Sequence, residues 1–125
     1  MKVEPPEQRI RWISFRGAEI LQVDCSHCTA EQVQKIAQDV ADYVTVRPRD
    51  SVLVITDFTG ASFNKDALRT MKETAVFDKP FVKKSAFVGT QTFPRQFYED
   101  LKTFSRRVLP MFESREEALE WLVAP

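Results

Sequence analysis

Val52-Leu53-Val54-Ile55-Thr56-Asp57-Phe58-Thr59-Gly60 is the stretch on which the reading of the chain turns. Val52 to Ile55 are four aliphatic residues in a row, with no polar alternation. That is the pattern of a strand buried on both faces of a sheet. The run passes directly into Asp57-Phe58-Thr59-Gly60, a polar turn with a hydroxyl and a flexible glycine. In open α/β sheets, ligands and chemistry collect just beyond the carboxyl end of a central strand. The stretch therefore predicts the middle of an α/β sheet, with a loop to watch at its end.

Working toward the N-terminus, residues 10–16 and 18–24 read as two short strands across Gly17, a hairpin with Leu21, Val23 and Cys25 on one face. Thr29-Ala30-Glu31-Gln32 is a capping box. Val33, Ile36, Ala37, Val40 and Val44 follow at helical spacing, so an amphipathic helix is expected to about Thr45. Arg47-Pro48-Arg49-Asp50 ends it, because proline disfavours helix in the residue before it.

Toward the C-terminus, Asn64 is a candidate N-cap for a second helix with Ala67, Leu68, Met71 and Ala75 inward, stopping before Lys79-Pro80. Residues 85–89 form a further apolar strand. Phe93-Pro94 opens a third helix whose inner face is predicted to hold Phe97, Leu101, Phe104 and Val108, with Pro110 as its stop. Met111-Phe112 is a short edge strand at best, and Ser114 to Glu117 is a second capping box before a final helix with Ala118, Trp121 and Leu122 facing in. The expected fold is α/β: a mixed, largely parallel sheet of four to five strands with about four helices. Residues 1–8, with Pro5-Pro6, read as a flexible leader, and 9–125 as a single domain.

The balance of 43% hydrophobic and 29% charged residues is that of a soluble globular protein. Lys plus Arg number 18 and Asp plus Glu 18, so no overall field draws the chain to nucleic acid. No apolar run approaches the roughly 20 residues of a membrane span. The first seven residues lack the apolar core of a signal peptide. A cytoplasmic protein without membrane or nucleic-acid partners is expected. With one histidine, three glycines and no Gly-x-Ser-x-Gly elbow, neither hydrolysis nor a glycine-rich phosphate cradle is indicated.

Cys25-Ser26-His27-Cys28 carries a competing signal. Strand, Cys-x-x-Cys, then helix is the thioredoxin-like arrangement, in which a helix N-terminus lowers a thiol pKa. The helix start at Thr29 leaves Cys25 a turn short of that dipole. Cys25, His27 and Cys28 are also metal ligands in type, with Asp24 as a weaker fourth, although structural zinc favours sulfur and nitrogen. The plainer reading is a polar loop with two reduced thiols, Cys25 half-buried beneath the first helix, and no metal. Lys79, Lys83 and Lys84, with Lys102, Arg106 and Arg107, would make an anion site only if the fold brought them together. The helical three read better as an outer polar face. Phe77 and Phe81, flanking Lys79-Pro80, offer a surface for a homodimer.

Three segments carry a family resemblance: Val52 to Gly60, then Lys79-Pro80-Phe81-Val82-Lys83-Lys84-Ser85-Ala86-Phe87-Val88-Gly89, and Phe112-Glu113-Ser114-Arg115-Glu116-Glu117-Ala118-Leu119-Glu120-Trp121-Leu122. In this order the chain resembles the SpoIIAA-like branch of the STAS domains, small and mostly uncharacterised bacterial and archaeal proteins. The resemblance implies no catalysis, no cofactor and a regulatory protein partner. The best-known members dock that partner and are switched by phosphorylation of a serine in an Asp-x-Ser-Gly loop. Here the matching residue is Thr59, the candidate phospho-acceptor, and Asp57, Thr59, Gly60, Ser62 and Asn64 would form the partner or ligand loop. This chain departs from the pattern after Gly60, where Ala61-Ser62-Phe63-Asn64-Lys65-Asp66 makes a longer, polar turn. A purely structural role for Asp57 and Thr59, satisfying loop amides, fits the same residues. Two alternatives stand beside the regulatory reading: a lipid-like, small apolar ligand carrier of the CRAL-TRIO type, to which the wider fold superfamily extends, and a Cys25/Cys28 thiol protein.

Overall fold

The computed structural model describes residues 9–125, and the leader expected at 1–8 lies outside the described residues. Strands β1 (Ile10–Phe15) and β2 (Ala18–Asp24) form the expected hairpin. Arg16 and Gly17, which join them, both have positive φ, the two-residue turn whose twist suits a hairpin. Helix α1 (Ala30–Val44) leads to β3 (Val52–Asp57), α2 (Lys65–Asp78) to β4 (Val82–Val88), and α3 (Arg95–Ser105) to β5 (Met111–Phe112), before α4 (Arg115–Val123). The sheet runs β1-β2-β3-β4-β5, with the hairpin antiparallel and every later pair parallel.

The unbroken apolar run of β3 now has its reason. Val52 and Val54 point into a core covered by α1, α2 and α3. Leu53 and Ile55 point to the other face, where Ala118, Leu119 and Leu122 of α4 close a second core. A strand covered on both sides has no polar face to keep.

Local signals start the helices where expected. Thr29 and Gln32 complete a reciprocal capping box at α1, and the Asn64 side chain accepts from the Ala67 amide at α2. At α4 only half of the expected box forms. Ser114 Oγ accepts from the Glu117 amide at 3.1 Å, while its hydroxyl donates to the Glu117 carboxylate instead of the glutamate reaching back.

The third helix departs from its predicted extent and face. It ends at Ser105, because Arg106 takes a left-handed φ of +56°. The chain turns there, four residues short of Pro110, so Val108 lies past the helix and is 76% exposed. Phe104 is 56% exposed, and Ser105 takes the inward place after Phe97 and Leu101. The stripe that faces in steps by four each time, and Phe104 falls one residue beside it.

Candidate functional site

Beyond the carboxyl ends of β2 and β3 the parallel ladder continues into two loops. The Cys25 amide donates to the Asp57 carbonyl at 2.8 Å, the His27 amide to the Thr59 carbonyl at 2.7 Å, and the Ser62 amide to the Cys28 carbonyl at 2.9 Å. The Cys25–Cys28 loop and the Asp57–Ser62 loop are thereby zipped side by side. Arg9 braces the first from below, donating to the Ser26 carbonyl at 2.8 Å.

Within the second loop, Asp57 Oδ1 accepts from the Thr59 amide at 2.9 Å and from the Thr59 hydroxyl at 2.7 Å. This closed turn is the geometry expected of an aspartate whose side chain imitates a backbone carbonyl. Two glycines make room for it. A Cβ at Gly60 would stand 2.5 Å from Nδ1 of His27, and one at Gly89 would stand 2.6 Å from the Thr59 nitrogen and 2.7 Å from Asp57 Oδ1. Both glycines have a φ of +66°, which L side chains avoid.

Beneath the turn, Phe58 is buried against Phe63, Phe87 and Phe93, with ring centroids 4.9 to 5.7 Å apart. Above it, His27, Thr59, Gly60, Ser62 and Asn64 are exposed. The five residues of the expected partner loop therefore share one edge, with distinct tasks: Asp57 organises the turn, Thr59 and Ser62 present hydroxyls, and Asn64 is committed to capping α2.

The two thiols sit elsewhere in chemical terms. Cys25 is buried outright rather than half-buried, and Cys28 is buried with it. Burial pushes the Cys25 thiol far above the ordinary cysteine value; Cys28 and Asp24 push the same way, and Arg9 opposes them. A thiol held protonated and out of water lacks both requirements of a reactive cysteine. Asp24 Oδ1 is occupied by the Ser26 amide at 2.9 Å and the Ser26 hydroxyl at 2.6 Å.

Three of the basic residues are each engaged with different partners. Lys84 Nζ donates to the carbonyls of Trp121 and Ala124 at 2.9 Å each, closing the end of α4. Lys102 pairs with Glu99 at 3.5 Å. Arg107 is no part of an outer polar face: it donates to the Ala75 carbonyl of α2 at 3.3 Å, and burial lowers its pKa. Phe77 is 58% exposed, whereas Phe81 packs partly against the core. Val76 and Phe104 are exposed on the neighbouring helices α2 and α3.

A second feature was not anticipated. Between the sheet and α1, α2 and α3 lies a cavity of about 90 Å³, mostly apolar, with Asp78 and Arg107 in its lining. Asp78 is only 5% exposed, and its Oδ1 has no hydrogen-bond partner among the described residues. Burial raises its pKa to about 6, against the opposing pull of Arg107. One signal was available: Asp78 continues the inward stripe Ala67, Met71, Ala75, and a carboxylate on an apolar stripe asks for an explanation.

No family model matches the chain, and no curated protein matches it. Among solved structures, the chain is similar to an uncharacterized protein of the DUF3478 family with a SpoIIAA-like fold, from Shewanella loihica PV-4. The TM-score is 0.67 at 15% identity, over 90% of this chain and 91% of the other. The fold is SpoIIAA-like. At that identity the SpoIIAA-like neighbour bears on architecture alone, and no helix among the described residues is long and apolar enough to cross a membrane.

Proposed function

We propose that this protein is a non-enzymatic regulatory module that docks a protein partner through the edge formed by Asp57, Thr59, Gly60, Ser62 and Asn64, with Thr59 as the switch. One observation carries the reading: the exposed Thr59 hydroxyl donates its proton to Asp57 in the bond that closes the turn. Phosphorylation replaces that proton with a phosphoryl group and adds about −1.5 to −2 of charge at neutral pH. The new charge stands against the Asp57 carboxylate, so the turn has to open.

The lengthened loop strengthens the disruptive sign of this switch. Asn64, not Thr59, caps α2, so the helix dipole is not placed to welcome a phosphate at Thr59. A partner fitted to the closed turn would be released when it opens.

Affinity capture from the protein's own host tests the reading. A partner retained by the wild type should be lost, at least ~tenfold, with Thr59→Glu. It should be kept with Lys83→Glu, an exposed change on β4. Equal capture by the wild type and Thr59→Glu overturns the proposal.

A further inference from the structure

We infer that the cavity between the sheet and helices α1 to α3 is a binding site for a small neutral amphiphile, a molecule with one hydroxyl or primary amide on a short apolar tail. The site is separate in kind from the docking edge, and neither reading depends on the other.

The apolar part of the cavity is built by Val23, Val54 and Phe87 from the sheet and by Ile36, Met71 and Leu101 from the helices. Its polar lining holds Thr56, Thr74 and Ser85 and the two charged groups Asp78 and Arg107, which come from the last turn of α2 and the segment after α3. Asp78 Oδ1 is buried and accepts no hydrogen bond among the described residues. A buried acceptor left unmet is destabilising, and more so when charged. Arg107 does not relieve it, since no ion pair within 4.0 Å joins the two among the described residues. Among the described residues its guanidinium makes one hydrogen bond, to the Ala75 carbonyl, and it is long at 3.3 Å. An acceptor and a donor thus border one cavity without closing on each other.

The pair selects the head group. A carboxylate would meet Arg107 but stand against Asp78, and an ammonium would meet Asp78 but stand against Arg107. A hydroxyl or primary amide donates to the first and accepts from the second, and it adds no charge to a site that already holds one of each sign. The volume selects the tail. An apolar cavity of about 150 Å³ takes benzene, and water claims about 30 Å³ per molecule in the liquid. The 90 Å³ here suits a chain of a few carbons.

The test is an amide chemical-shift titration of the full chain with four probes that share one short chain: butyramide, 1-butanol, butyrate and butylammonium. The two neutral probes should give saturable shifts at residues lining the cavity. Both charged probes should bind at least ~tenfold more weakly, because each brings a like charge to one member of the pair. Ala75→Leu, which fills the cavity, should abolish the neutral-probe shifts. The inference is overturned if neither neutral probe saturates, if the shifts fall outside the cavity lining, or if the charged probes bind as well. Retention of affinity in a folded Ala75→Leu variant also overturns it. Should that variant not fold, the head-group series on the wild type decides alone.

Discussion

Gly89 and Asp78 show how single residues set the behaviour of this molecule. At Gly89 the left-handed backbone is already unfavourable for a side chain, and the Thr59 nitrogen and Asp57 Oδ1 occupy the space of a Cβ. Gly89→Ala is expected to destabilise by about 2 kcal/mol or more, from the backbone term and the displaced turn together. Chemical denaturation measures this, and an unchanged midpoint would mean the turn is looser than described. At Asp78 the sign runs the other way from most carboxylates. Its folded pKa is raised, from 3.8 to about 6, so the folded protein holds a proton that the unfolded chain has released across that window. Stability from this group is full below 3.8 and declines as pH rises through about 6. The loss is at most on the order of 3 kcal/mol. Asp78→Asn should therefore gain stability over the wild type above pH 6 and not below pH 4, by less than that ceiling because Arg107 loses its countercharge. Paired denaturation curves at the two pH values check the sign.

At the scale of elements, the helix starts were legible because caps are written locally. Thr29 with Gln32, Asn64 and Ser114 each sit where a hydroxyl or amide side chain meets an orphan backbone amide. Thr29→Ala should cost about 1 kcal/mol, read as a shift in the unfolding midpoint. The end of α3 was not legible. Phe97, Leu101, Phe104 and Val108 keep helical spacing, but Arg106 breaks the helix in a left-handed conformation that an arginine does not announce. The same turn carries Arg107 inward to α2. The Asp78–Arg107 pair was therefore hidden by distance in sequence as well as by a misjudged helix end. Half of its signal, the acid on the α2 stripe, was present in the sequence.

At the scale of the whole molecule, one run of residues did most to reveal the architecture. Val52 to Ile55 could be unbroken only in a strand covered on both faces, and α1 to α3 on one side with α4 on the other provide that cover. The same topology places the Cys25–Cys28 and Asp57–Ser62 loops at one edge, zipped by backbone bonds. The sequence pointed to the second loop, but not to how His27 and Gly89 enclose it, because those contacts join residues from three strand ends. It also left Cys25 half-buried, where the ladder carries the thiol fully under α1. This edge is the docking surface we propose. Hydrogen exchange on the protein, free and bound to the partner captured from its host, tests it most directly. Slowed amides at 26–29 and 57–64 are the predicted result. Protection centred on Val76, Phe77 and Phe104, with the turn unchanged, would contradict it.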